Sequence, residues 1–222
     1  IVPDELECIT SYVLFEQEDW FEDEIKFVRV LLKPGDCVID IGANYGVYSL
    51  SMAKLVGQSG KVWSFEPAEA TADFLESSKT LNCFDNIQII RQAVSKCSGS
   101  AQFSTSSHSE LNGIVRNDGS QAPQATVTVP TTSLDDAMQH YGWDDIAFVK
   151  IDAEGEEEEI TGGAWKFLAR LSPLIMYEVK AGARLNLGLA DSLAARGYSS
   201  YRLVPGLGVL VPLEQGQAEQ AA

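Results

Sequence analysis

Positive charge is what this sequence has least of: 16 Lys and Arg stand against 32 Asp and Glu in 222 residues, a formal net of −16. Sequence-independent binding to nucleic acid or to an anionic membrane rests on clustered cations, so neither is expected as a partner. Long apolar runs are missing too, and none approaches the ~18 residues of a membrane-spanning helix. Cysteine is scarce, at positions 8, 37, 83 and 97, and no two form a C-x-x-C pair. That removes the signature of a zinc site or a thioredoxin-like motif. Cys37 and Cys83 fall in segments that read as core, where small buried thiols favour a reducing compartment, so the expected location is cytoplasmic. Residues 1–24 carry nine acids and no Lys or Arg, the reverse of a basic secretory leader. The chain opens on Ile1 rather than Met, as a fragment or a processed chain would.

What is present is enough apolar material for a core. Hydrophobic residues make up 45% and charged residues 22%, and the length suits one domain with elaborations. Phe21, Ile25, Val28 and Leu32 recur at helical spacing, which predicts a helix over 19–32 stopped by Lys33-Pro34-Gly35. Asp36–Ile41 reads as a buried strand, 45–56 as a helix, Lys61–Phe65 as a strand, 68–82 as a helix and Ile87–Ile90 as a strand. A Ser-, Gln- and Asn-rich excursion over 98–126 follows, with short strands near 100–104 and 125–129. Loops of this length in compact domains serve as binding loops or lids. Alternation then resumes: helix Thr132–Gln139 capped by Thr132 or Ser133, strand Ile146–Ile151, helix 156–169, strand Leu174–Val179, helix 184–196. Two last strands, Tyr198–Leu203 and Val209–Val211, are too close for a helical crossover and form a hairpin. The expectation is an α/β fold with a doubly wound, mostly parallel, Rossmann-like sheet and a C-terminal antiparallel hairpin. Residues 1–34 would be a helical lead-in, 35–213 the main domain and 214–222 a flexible tail.

Ligands of such sheets lie beyond the carboxyl ends of the strands, beside the first strand. That strand ends Asp40-Ile41-Gly42-Ala43-Asn44-Tyr45-Gly46. Its glycines permit a sharp turn and a close ligand, and the next helix offers free N–H groups. The dinucleotide pattern G-x-G-x-x-G is absent; an acid at 40 would oppose a pyrophosphate but suits an ammonium. The second strand ends Phe65-Glu66-Pro67, placing Glu66 where a carboxylate can accept both ribose hydroxyls of an unphosphorylated adenosine group. Pro67 starts the following helix, where its missing N–H costs nothing. Beyond the third strand, Ala93 and Ser95 stand where an adenine edge would lie.

The fourth strand ends Lys150-Ile151-Asp152-Ala153-Glu154-Gly155, with two acids at the cleft. The following acids, 156–159, suit the start of a helix, where negative charge meets the dipole. Glu178 ends the fifth strand and needs a partner, Lys150 or Lys180, or a wet cleft. Asp152, Glu154 and Glu178 could together ligate a hard divalent cation, but nothing in the sequence requires a metal. His108 could serve as a general base by virtue of its near-neutral pKa, or be an ordinary loop histidine; His140 reads as structural.

In order, DIGANYGVYS, FEP, NIQIIRQAVS, TSLDD, VKIDAEGEE and IMYEV resemble the FkbM family of methyltransferases over about residues 25–180. The resemblance implies a class I fold with S-adenosyl-L-methionine as cofactor. It puts the methionine end against Asp40, Gly42, Asn44 and Gly46, the ribose on Glu66 and the transferred methyl near Asp152. Members of known activity mostly methylate hydroxyls of secondary metabolites or sugars, so a small-molecule or carbohydrate acceptor is implied. Asp152 is then the first candidate to position the hydroxyl, with Glu154, Glu178 or His108 as other proton acceptors. Two further readings remain open: a nicotinamide-dependent oxidoreductase and a non-catalytic interaction domain on the same fold. The acceptor's identity and the oligomeric state are also open.

Overall fold

Alternate residues of each central strand go to opposite sides, and both sides are apolar. Ile39, Ile41, Trp63, Phe65, Val149 and Ile151 enter one buried cluster, while Val38, Val62, Ile87 and Phe148 enter another. A strand apolar on both faces must be covered on both, which is the condition for a parallel sheet between two helical layers. In a computed structural model, which describes residues 1–4, 8–104, 112–115, 126–178 and 187–213, that is the arrangement found. Strands β1 (Cys37–Ile41), β2 (Lys61–Phe65) and β3 (Ile87–Ile90) pair in parallel on one side of β1. The strands Phe148–Ile151 and Leu174–Tyr177 extend the sheet in parallel on the other side. Chain direction through the sheet therefore reverses at β1, whose carboxyl end opens a crevice.

Helices α1 (Ile9–Gln17), α2 (Asp23–Leu31), α3 (Val47–Val56) and α4 (Glu69–Leu81) precede β3. Ile25 and Val28 of α2 and Met52, Ala53 and Val56 of α3 cover the Val38 face. Between the third and fourth central strands the chain builds a smaller sheet from β4 (Ala93–Val94), β5 (Gly99–Ser104), β6 (Gly113–Ile114) and β7 (Thr126–Thr132), ordered β4-β7-β5-β6. Helix α5 (Leu134–Tyr141) follows, capped by Ser133, whose Oγ accepts from Asp136 N at 3.1 Å. The two remaining central strands become β8 (Phe148–Ile151) and β9 (Leu174–Tyr177), with α6 (Glu157–Gly162) and α7 (Trp165–Leu171) between them. After β9 come α8 (Leu187–Ala194) and the hairpin β10 (Tyr201–Val204) and β11 (Val209–Pro212). Leu134, Ile160, Phe167 and Leu189 from α5 to α8 cover the Ile39 face.

Four features depart from the sequence expectation. A helix, α1, forms where only an acidic stretch was visible; the face it buries mixes Thr10 and Ser11 with Val13, and Ser11 Oγ donates to Pro3 O at 2.9 Å. The single helix expected over 156–169 is broken at Gly162-Gly163. There the chain passes so close to the β4–β5 connection that a Cβ on Gly163 would stand 2.5 Å from Lys96 O. The hairpin is a separate two-stranded sheet rather than an extension of the central one. Cys83 is exposed and takes a left-handed φ of 53° in the turn after α4, while Cys8 is the buried thiol.

Two glycines show which turns leave no room. A Cβ on Gly42, already at φ +74°, would sit 1.8 Å from Asp152 O, so the β1 and β8 ends touch backbone to backbone. Gly142 is also left-handed (φ +67°) but has nothing within 4 Å. Gly42→Ala should therefore cost about 3 kcal/mol or more, combining strain and overlap, and Gly142→Ala only about 1 kcal/mol of strain. Urea unfolding of the two variants measures the difference; equal losses would mean the β1–β8 crevice has slack.

Candidate functional site

The crevice at the β1 end opens into a cavity lined by residues of β1, β2 and β8 and by Glu178 just past β9. Backbone hydrogen bonds draw the strand ends together: Gly42 N and Ala43 N donate to Phe65 O, Asp152 N to Ile41 O, and Glu178 N to Ile151 O. Gly42, Asn44, Glu66, Pro67, Ala93, Asp152, Glu154 and Glu178, all expected from the sequence, line this one cavity. Asp40, Gly46 and Ser95 do not. His108 lies outside the described residues, as does Lys180.

Glu66 is held by its backbone surroundings. Its Oε2 accepts from Asn44 N and its Oε1 from Ala68 N, both at 2.9 Å. Each oxygen keeps a lone pair for a further donor. Burial raises its pKa to about 7 against those two bonds. Asn44, at φ 48° in the left-handed region that Asn tolerates, leaves its Oδ1 as a buried acceptor with no partner among the described residues.

Asp40 is fully buried beneath the cavity, not in its wall. Its Oδ2 accepts from Ser49 Oγ at 2.6 Å. Ser49 has one hydroxyl hydrogen, so Ser64 is the donor in the 2.7 Å Ser64–Ser49 bond. Lys150, missed as a site residue by sequence reasoning, stands between two carboxylates: Nζ is 3.0 Å from Asp152 Oδ2 and 3.7 Å from Asp40 Oδ1. Its ammonium also lies 4.7 Å from the centroid of the Tyr48 ring. Burial works against the charge on Lys150, but Asp152 and Asp40 outweigh it and keep the group protonated. Burial in turn pushes the Asp40 carboxyl above its ordinary range. The K-I-D spacing was the available signal, since residues two apart on a strand share a face.

Asp152, Glu154 and Glu178 bring carboxylate oxygens within 4.8 Å of one another, and are the set that could hold a divalent cation. Among the described residues, Glu178 finds Asp152 rather than Lys150 as its hydrogen-bond partner. Partial burial, a hydrogen bond to Asp152 and the charges of Asp152 and Glu154 raise its pKa to about 8. Glu178 therefore keeps a proton into neutral pH and shares a hydrogen bond with Asp152, whose Oδ2 is the one 3.0 Å from Lys150 Nζ. Glu154 takes a left-handed φ of 52°, costly for a residue of its type. The loop is braced by Glu157, whose Oε1 accepts from Ala153 N and Gly155 N at 3.4 and 3.2 Å. Glu156 also departs from its expected role at a solvated helix start. It is 5% exposed, lines the cavity and accepts from Ser95 Oγ at 3.0 Å. Ser95 is thereby engaged: its N–H also donates to Thr132 O at 2.9 Å. The far wall comes from residues the sequence did not suggest, Ile9, Thr10, Trp20, Phe21 and Glu22 of the N-terminal segment, with Glu22 accepting from Tyr48 Oη at 2.6 Å.

Residues 40–200 match the model of the methyltransferase FkbM domain. The chain belongs to this family. Its structure is similar to methyltransferase FkbM from Methylobacillus flagellatus KT, at 17% identity and a TM-score of 0.56, over 77% of this chain and 40% of that one. The chain thus spans well under half of that relative's length. It is also similar to a protein assigned as an rRNA methylase from Clostridium thermocellum, at 14% identity and a TM-score of 0.50, over 86% and 89% of the two chains. Both are likenesses of fold, and the fold is that of class I methyltransferases. No curated protein sequence matches the chain. The matched span of the FkbM domain begins at Asp40, so the wall supplied by Ile9 to Glu22 lies outside it.

The raised carboxyls make stability depend on pH with a definite sign. In the folded chain Glu66 and Glu178 hold protons that the unfolded chain releases near 4.5, so their contribution is complete below that value. It is lost as pH rises through about 7 for Glu66 and about 8 for Glu178. Glu178→Gln should flatten the upper part of this fall, raising the thermal midpoint of the variant above that of the parent on the alkaline side of 8. An unchanged pH profile would show that Glu178 does not share a proton with Asp152.

Proposed function

We propose that this FkbM domain transfers a methyl group from S-adenosyl-L-methionine to a hydroxyl of a small molecule or sugar. The observation that carries the reading is the Glu66 carboxylate, fixed at the end of β2 by two backbone N–H groups with lone pairs left over in the cavity. A vicinal diol such as ribose donates two hydrogens to such a group. The surroundings fit the rest of the cofactor: a Gly42 turn with no space for a Cβ, and an unpartnered Asn44 Oδ1 ready for a donor such as an ammonium.

When bound, the cofactor would supply an electrophilic methyl on a sulfonium, the neutral thioether being the leaving group as the S–C bond gives way to the new O–C bond. The chain's part is to position and to take a proton. Asp152, paired with Lys150, accepts a hydrogen bond from the acceptor hydroxyl and takes its proton as the new O–C bond forms. Glu178, next in the hydrogen-bonded pair, and Glu154 adjust the basicity of that oxygen. Trp20 and Phe21 at the mouth limit water. His108 remains a proposal as an alternative base.

Calorimetric titration with S-adenosylhomocysteine, beside NADH, tests the cofactor. The first should bind and the second should not, and Glu66→Ala should weaken binding roughly 10- to 100-fold. Because only the ionised carboxylate accepts two hydroxyl hydrogens, affinity should rise as pH climbs through about 7, the pKa of Glu66. NADH binding in place of the homocysteine compound would reverse the assignment to an oxidoreductase. Asp152→Asn should lower turnover roughly 10²- to 10⁴-fold while leaving cofactor affinity nearly intact; equal losses in both would assign Asp152 to the cofactor instead.

A further inference from the structure

Helix α1 buries Val13 and exposes three larger apolar residues on another side. Ile9, Tyr12 and Phe15 are 59%, 49% and 75% exposed, while Thr10 and Ser11 are buried. Residues three apart are neighbours on a helix surface, so these three form one apolar stripe. Phe21, 52% exposed, lies beyond its end, and exposed Glu16 and Glu18 border it. The surface is apolar and anionic.

The C-terminal hairpin is its counterpart. Among the described residues, β10 and β11 pair only with each other. Every residue of β11 is exposed, and Leu207 in the turn is 73% exposed. The register sets Leu203 opposite Leu210 and Val204 opposite Val209, so apolar side chains stand on both faces of the ribbon. Leu203 and Val204 are half-buried, so the exposed apolar surface of the ribbon is that of β11 and the turn, and a lone two-stranded ribbon is marginally stable. From Ser192 to Leu213 the charged residues are Arg196 and Arg202 alone, in a chain of net −16. Arg196 is spent over the Trp165 ring at 4.8 Å, and Arg202 is exposed. The hairpin is apolar and cationic.

We propose that two copies of this chain form a two-fold dimer in which the hairpin of each covers the α1 stripe of the other. Within one copy, Gly206 N–H at the hairpin turn donates to Asp23 at the start of α2, and the α1 stripe stays uncovered. A second copy is the occupant because both halves of the complementary pair are on the same chain, and two-fold symmetry then forms each contact twice. That doubling is what two small patches need to approach the ~1,000 Å² of a specific interface. Pairing hairpin with hairpin instead would bring Arg202 against its own copy, like charge on like. Ile9 belongs both to the stripe and to the cavity wall, so the docked hairpin sits at the cavity mouth.

Sedimentation equilibrium of the chain, of Phe15→Glu and of Leu210→Glu tests the dimer. Both substituted residues are exposed, and unchanged thermal midpoints confirm that each variant folds. The parent should sediment at twice the chain mass, with dissociation strengthened by added salt. Each variant should dissociate at least about tenfold more readily. An equimolar mixture of the two variants should associate more tightly than either alone, since one of its two contacts joins an unaltered hairpin to an unaltered stripe. A monomeric parent overturns the proposal and leaves the two surfaces to other partners. So does loss of the dimer in Leu210→Glu but not Phe15→Glu, which would mean hairpin-to-hairpin pairing, or a mixture that gains nothing.

Discussion

A lysine ammonium buried between two carboxylates supports the whole site. Lys150 reaches down to Asp40 beneath the cavity and forward to Asp152 on its wall, from β8 beside β1. Removing one member of a buried charged set leaves the others uncompensated, a loss of about 3–5 kcal/mol. The closer contact of Lys150 is with Asp152, and beside that pair Glu178 is pushed up to about 8. The same set ties structure to chemistry, because Asp40 is also the acceptor that orders Ser49 of α3 and, through it, Ser64 of β2.

Around that buried set the crevice is assembled by backbone rather than side chains. The β1 and β8 ends meet so closely at Gly42 and Asp152 that no side chain fits between them, and Glu66 is oriented by two N–H groups. A crevice fixed this way is rigid along its β1 and β2 side. The opposite wall is built differently, from the connection between α1 and α2, with Trp20 and Phe21 packed ring against ring at 5.1 Å. That wall lies outside the residues that match the FkbM domain.

The parallel sheet and its crevice were legible because strands such as β1 and β8 are apolar on both faces and end in glycine or acid. Glu66, Asp152 and Glu178 were legible for the same reason: each directly follows such a strand. Helix α1 was not, since the face it buries mixes Thr10 and Ser11 with Val13 while Ile9, Tyr12 and Phe15 are exposed, which blurs the periodic signal. The role of Glu156 was hidden in a run of four acids whose ordinary explanation is the helix dipole, and only its proximity to Ser95, 61 residues earlier, sets it apart. Asp40 was expected against the ammonium of the cofactor, but it lies within β1 and outside the cavity lining, and a carboxylate near a strand end can point to the ligand or below it. Only the long-range partner, Lys150, decides which.

The crystal structure of the chain with S-adenosylhomocysteine tests this account most directly. The account predicts both ribose hydroxyls on the Glu66 carboxylate, the amino acid end at the Gly42–Asn44 turn, and the sulfur turned toward Asp152 with Lys150 still paired beneath it. A ligand seated elsewhere, or one in this cavity that leaves Glu66 bonded only to Asn44 and Ala68, would contradict it.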